Sequence, residues 1–111
     1  MIRILLIEDE EPIRRVLVRI LCEEDANYKI TEAVDGKKGF HLLDKESFDL
    51  VLCDIKMPKM DGIEVLQKAK NSKINTPFIM LTGHGNVETA VEAMKLGAYD
   101  FISKPPDLNR L

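Results

Sequence analysis

"IRILLIEDEEP", residues 2–12, sets six residues of strand composition directly against four consecutive carboxylates and a proline. An Ile/Leu run of this length, bounded by acids, has the character of a short strand buried on both faces. Pro12 fits the first turn of a helix, where its missing N–H is not needed. Strand, tight turn and helix therefore follow one another within a few residues. Gathering Glu8, Asp9, Glu10 and Glu11 at a strand end sets like charges against each other, a cost that a bound cation would offset.

The rest of the chain repeats the pattern. "YKITEA" (28–33), "FDLVLC" (48–53), "PFIMLT" (77–82) and "YDFIS" (99–103) read as further strands. Between them lie amphipathic segments. "PIRRVLVRILCEE" places Ile13, Leu17, Ile20 and Leu21 on one helical face, and "NVETAVEAMKLG" does the same with Val87, Ala90, Val91 and Met94. Asp61 followed by Glu64 forms a capping-box pattern at a third helix, and Gly97 suits a left-handed stop after the fourth. "DGKKGFHLLDKE" is the weakest helix because Gly39 lies inside it. Regular alternation of strand and helix predicts a three-layer α/β sandwich, since parallel strands need crossover helices that cover both faces. The final "DLNRL" reads as the start of a fifth helix, truncated at Leu111.

With 111 residues the chain is expected to be a single domain, residues 1–111, and the N-terminal fragment of a longer protein. Apolar residues make up 45% and charged residues 32%, and no apolar run approaches the roughly 20 residues of a membrane helix. No signal-peptide pattern opens the chain, so a cytoplasmic location and no membrane partner are expected. A net charge of −3 with scattered basic residues argues against direct nucleic acid contact. Cys22 and Cys53 are expected to be reduced fillers rather than a disulfide.

Ligands of open α/β sheets bind beyond the carboxyl ends of the strands. There the sequence delivers Glu8 and Asp9, then Asp54, then Thr82, then Lys104. Hard oxygen donors in that number suit Mg²⁺, and Mg²⁺ beside a carboxylate, a hydroxyl and an ammonium suits phosphoryl transfer. Asp54 is the candidate nucleophile, with Thr82 and Lys104 holding phosphoryl oxygens.

"LLIEDEEP", "LCDIKMPKMDG", "IMLTGHG" and "GAYDFISKPPDLNRL" together resemble the receiver domain of two-component response regulators along the whole chain, most closely receivers of the NtrC/NtrX type. The resemblance implies a flavodoxin-like (CheY-like) fold with a parallel five-stranded sheet of order 2-1-3-4-5. It implies a phosphoacceptor signalling domain, not an enzyme with a substrate of its own: Mg²⁺-dependent phosphorylation of Asp54 by a histidine kinase, then slow loss of the phosphoryl group. Carried over by position, Asp9, Asp54 and the Lys56 backbone carbonyl ligate the metal. Glu8 stands where many relatives have Asp and so reaches the metal through water. Thr82 is the switch hydroxyl, Phe101 the switch aromatic in place of the commoner Tyr, and Lys104, before a cis bond to Pro105, the phosphate-binding lysine. Lys56 and His84 occupy positions that tune phosphoryl lifetime. Expected partners are a sensor histidine kinase and, on the face of the fourth helix, fifth strand and fifth helix, a second copy or attached ATPase and DNA-binding domains controlling transcription.

Blander roles compete for some of these residues. Glu10 and Glu11 suit a helix start, Asp61 a cap, Met57 and Met60 packing, and His41 an exposed helix position. A stand-alone single-domain regulator and a receiver-like scaffold that needs no phosphorylation are the nearest alternatives. An aspartyl-phosphate phosphatase of the haloacid-dehalogenase kind is the enzymatic one, but such enzymes carry an acid where Lys56 stands.

Overall fold

The computed structural model describes residues 1–57, 60–83 and 87–103. His84, Lys104, the Lys104–Pro105 bond and the "DLNRL" segment lie outside the described residues. The element order is β1 (Ile2–Ile7), α1 (Glu11–Glu24), β2 (Tyr28–Ala33), α2 (Gly36–Lys45), β3 (Leu50–Asp54), α3 (Gly62–Asn71), β4 (Phe78–Thr82), α4 (Val87–Lys95) and β5 (Asp100–Ser103). All strand pairs are parallel, and the sheet order is β2-β1-β3-β4-β5. The expected three-layer α/β architecture is therefore the one observed.

Side-chain alternation along β1 explains why both faces are covered. Ile4 and Leu6 join Leu17 of α1, Leu52 and Leu81 on one face. Leu5 and Ile7 join Leu43 of α2, Val65, Leu66 and Ala69 of α3 and Ala93 of α4 on the other. From Ile4 to Ile7 every position is apolar and buried, as a doubly covered strand requires.

Two boundaries shift for identifiable reasons. β3 starts at Leu50 rather than Phe48, because the Asp49 carboxylate accepts from the Arg3 amide and Phe48 fills the core ahead of the ladder. β4 starts at Phe78 because Pro77 has no N–H, although its carbonyl accepts from the Val51 amide at 2.9 Å.

Helix α4 departs from the face read in its sequence. Ala90 and Ala93 are buried, whereas Val91 and Met94 are 45% and 39% exposed. Two alanines let the helix lie close on the sheet, and the larger side chains stay outside with Tyr99 and Phe101 of the following segment, also exposed.

Helix ends follow their signals. Asp61 Oδ1 accepts from the Glu64 amide at 2.9 Å, Asp35 Oδ1 accepts from the Lys38 amide at 2.8 Å, and Gly97 has φ of 107°. Lys73 is left-handed as well, with φ of 61°, at the end of α3. A side chain there is unfavourable, so Lys73→Gly is expected to raise stability by about 0.5–1 kcal/mol in urea denaturation. Cys22 is exposed and Cys53 buried, both as free thiols, so only Cys53 is a filler.

Candidate functional site

Strand register brings Glu8, Asp54 and Thr82, of the expected residues, to one edge. Ile7 pairs with Cys53, Cys53 with Met80, and Met80 with Phe101. One residue further along each strand come Glu8, Asp54, Leu81 and Ile102; one further again, Thr82 pairs with Ser103, the residue before Lys104. β2 sits outside β1 and ends in Ala33, which brings no chemical group to this edge.

Among the described residues the buried polar or charged side chains are Glu8, Asp54 and Thr82, at 0%, 3% and 3% exposure. Each terminates or follows a different strand, β1, β3 and β4. Polar groups are placed in such positions only against a cost, so their convergence marks the site. Asp9 is half-buried, and its Oδ1 is buried with no hydrogen-bond partner among the described residues.

Glu8, Asp9 and Glu10 each present a carboxylate oxygen within 4.8 Å of the others, a spacing that can hold a metal ion. This divides the four acids differently from the sequence, which leaned toward Glu10 as a helix starter beside Glu11. Glu10 is the N-cap residue of α1 by its backbone, but its side chain makes no capping hydrogen bond and lies with Glu8 and Asp9 instead. Glu11 alone belongs wholly to the helix. It pairs with Arg15, whose guanidinium, by hydrogen bond and then by charge, holds the Glu11 carboxyl below its ordinary value.

Asp54 lies on the neighbouring strand and is not one of the three clustered acids. Beside it the Cys53 thiol is pushed well above its ordinary value, first by burial and then by the charges of Asp54, Glu8 and Asp61. It stays a neutral thiol. Its Sγ lies 3.4 Å from the Asp54 carbonyl, within reach of a weak hydrogen bond.

The loop after Asp54 is closed at its base. The Gly62 amide donates to the Ile55 carbonyl at 2.7 Å, and a Cβ on Gly62 would lie 2.3 Å from the Asp54 carbonyl oxygen. Met57 and Met60 pack against the core, as their packing role anticipates, while Lys56 is exposed. Phe101 is 39% exposed on β5, and His41 is exposed on α2.

Sequence reading gave no role to Arg14, which joins this site. Its guanidinium donates to the Glu8 carbonyl at 2.9 Å and to Glu32 Oε1 at 3.0 Å. A basic residue one turn after an acidic strand end was the available signal, but helix α1 carries Arg14, Arg15 and Arg19, and only docking selects among them.

The donor set fits a small hard cation: clustered carboxylates, one oxygen of them buried and without a hydrogen-bond donor among the described residues. The edge as a whole joins that acidic pocket to a buried carboxylate and a buried hydroxyl on adjacent strands.

Known proteins resemble this chain along most of its length. Regulatory protein AtoC of Escherichia coli is 39% identical over 109 residues, covering 98% of this chain and 23% of that protein. Transcriptional regulatory protein FixJ of Rhizobium meliloti is 39% identical over 100 residues, covering 90% of this chain and 48% of that protein. The chain thus spans a quarter to a half of the length of these relatives. The crystal structure of the receiver domain of NtrX from Brucella abortus superposes with a TM-score of 0.86 at 36% identity, covering 96% of this chain and 89% of that one. These matches bear out the resemblance to receivers of the NtrC/NtrX type. The family model for the response regulator receiver domain matches residues 4–111, and the chain belongs to that family.

Proposed function

We propose that this receiver is switched by transfer of a phosphoryl group from a histidine kinase to Asp54. The observation that supports this most directly is the burial of Glu8, Asp54 and Thr82 together at the ends of three adjacent strands. A carboxylate oxygen of Asp54 attacks phosphorus; the new P–O bond forms as the P–N bond of the donor breaks, and the departing imidazole takes a proton from solvent. Asp9, Asp54 and the Lys56 carbonyl would hold Mg²⁺ directly and Glu8 through water. Bound there, the metal supplies positive charge that offsets the charge on the phosphoryl oxygens.

Thr82 donates its hydroxyl to a phosphoryl oxygen and Lys104 its ammonium to another. Drawing Thr82 toward Asp54 leaves room for Phe101 to turn inward, which alters the surface formed by α4 and β5. Val91, Met94, Tyr99 and Phe101 supply that surface with exposed apolar area suited to a second receiver or an attached effector. Inverting such an equilibrium from 1:99 to 99:1 takes about 5.5 kcal/mol, a scale that a few charge-assisted hydrogen bonds approach. Lys56 and His84 occupy sequence positions that resemble those tuning phosphoryl lifetime in the family, and we assign them that role here.

In the longer protein we place this domain ahead of ATPase and DNA-binding modules, as an input to transcription that makes no nucleic acid contact itself. The described residues contain no helix long and apolar enough to cross a membrane.

The test uses acetyl phosphate with Mg²⁺ and intact-mass measurement. Wild type gains one acid-labile phosphoryl group, and Asp54→Asn gains none. An equal adduct on the variant, or turnover of small phosphate esters, would overturn the reading.

A further inference from the structure

Arg14 ties the acidic turn to two separate elements. Its Nη1 donates to the Glu8 carbonyl at 2.9 Å and its Nε to Glu32 Oε1, on β2, at 3.0 Å. Its backbone amide donates to the Glu10 carbonyl at 2.9 Å, while the Glu8 amide donates to the Ala33 carbonyl at 3.1 Å. The Arg14 side chain is 13% exposed and that of Glu32 is 47% exposed. A planar guanidinium holds two acceptors in one fixed geometry, which an ammonium on a flexible stem does not.

We infer that Arg14 is a positioning residue for the Glu8–Glu10 turn, aimed by Glu32 from the edge strand. Holding the Glu8 carbonyl fixes the angle at which the chain leaves β1. That angle decides where the carboxylates of Glu8, Asp9 and Glu10 stand relative to one another and to Asp54. The inference rests on the metal-binding reading of the same turn.

Two effects of Arg14 on a cation oppose each other, which makes the inference decidable. As a charge, Arg14 repels Mg²⁺, so removing it tightens binding, and more so at low salt. As a tether, it pre-forms the site, and loss of such outer contacts weakens metal binding about 10–100-fold. Positioning wins here because the charge of the guanidinium is itself offset by Glu32, at 3.0 Å, while its bond to the Glu8 carbonyl, at 2.9 Å, holds the turn directly.

The experiment compares wild type with Arg14→Met, Arg14→Lys and Glu32→Gln by two measurements. Amide hydrogen exchange at Glu8 and Arg14, whose amides donate to the Ala33 and Glu10 carbonyls on either side of the turn, reports the tether alone in metal-free buffer. Arg14→Met is expected to speed it about tenfold, and Arg14→Lys is expected to recover only part of the protection. Calorimetric Mg²⁺ titration is expected to show about tenfold weaker binding for Arg14→Met at both low and high salt. Glu32→Gln leaves α1 unchanged and should shift both readouts in the same direction by a smaller factor, which keeps the test valid if Arg14→Met fails to fold. Unchanged exchange in the folded variants, or tighter Mg²⁺ binding by Arg14→Met, would overturn the inference. Absence of Mg²⁺ binding by wild type would instead overturn the metal-site reading, and the exchange measurement would still decide the tether.

Discussion

Gly62→Ala is expected to destabilise the domain by about 2 kcal/mol and to slow phosphorylation of Asp54. Helix propensity alone argues the other way, since Ala is favoured over Gly by up to about 1 kcal/mol inside a helix. The contact decides. A Cβ on Gly62 would stand 2.3 Å from the Asp54 carbonyl oxygen, 2.8 Å from the Ile55 Cα and 2.9 Å from the Met80 Cε. Two of these neighbours are backbone, at the last residue of β3 and the residue after it, so relief comes only by moving α3 or the end of β3. Overpacking of this kind costs about 1–3 kcal/mol, and an immovable neighbour places it at the upper end. Urea denaturation measures the loss, and acetyl phosphate labelling measures the rate. Gly97→Ala is the control: its φ of 107° makes it destabilising too, but it lies at the opposite edge of the sheet. Equal slowing in both variants would attribute the effect to stability rather than to displacement of Asp54.

Asp9→Asn is expected to reverse its rank with Mg²⁺. In metal-free buffer the variant should be more stable than wild type by about 1 kcal/mol, because one of three carboxylates gathered within 4.8 Å is neutralised. Asp9 Oδ1 has no hydrogen-bond partner among the described residues that the substitution would forfeit. With Mg²⁺ at a hundred times its dissociation constant, wild type gains about 2.7 kcal/mol, and the variant gains little. Thermal melts with and without Mg²⁺ report both. A variant strongly destabilised without metal would mean that the carboxylate is held by attraction, which would sink the picture of a repulsive site.

Much of this was legible in the sequence for local reasons. The Ile/Leu run at residues 4–7 has the pattern of a strand covered on both sides, and Asp61 and Gly97 mark helix ends through interactions spanning a few residues. The edge residues were legible because each ends or directly follows its own strand, so finding the strands found Glu8, Asp54 and Thr82. What stayed hidden depends on how elements dock. Gly39 looked like a flaw in α2, yet a Cβ there would meet the Ile7 side chain at 2.4 Å, so its absence lets the helix seat on the sheet. Helix α4 carries a broad apolar stripe, and periodicity could not tell that Ala90 and Ala93, rather than Val91 and Met94, turn inward. Glu10 and Arg14 face the site only because α1 leaves β1 at one particular angle.

The hydrogen bond from Gly62 to Ile55 has a consequence for the loop it closes. Joining the ends of the segment that follows Asp54 means that the closure entropy of that loop is already spent within the fold. For a flexible loop that cost grows only logarithmically, by about 0.6 kcal/mol per doubling. Apart from Met57 and Met60, which pack, and Asp61, which caps α3, side chains between the joined ends can thus change while β3 and α3 keep their places. Under the proposed function, the surface a kinase would meet beside Asp54 can diverge there without disturbing the residue it would phosphorylate.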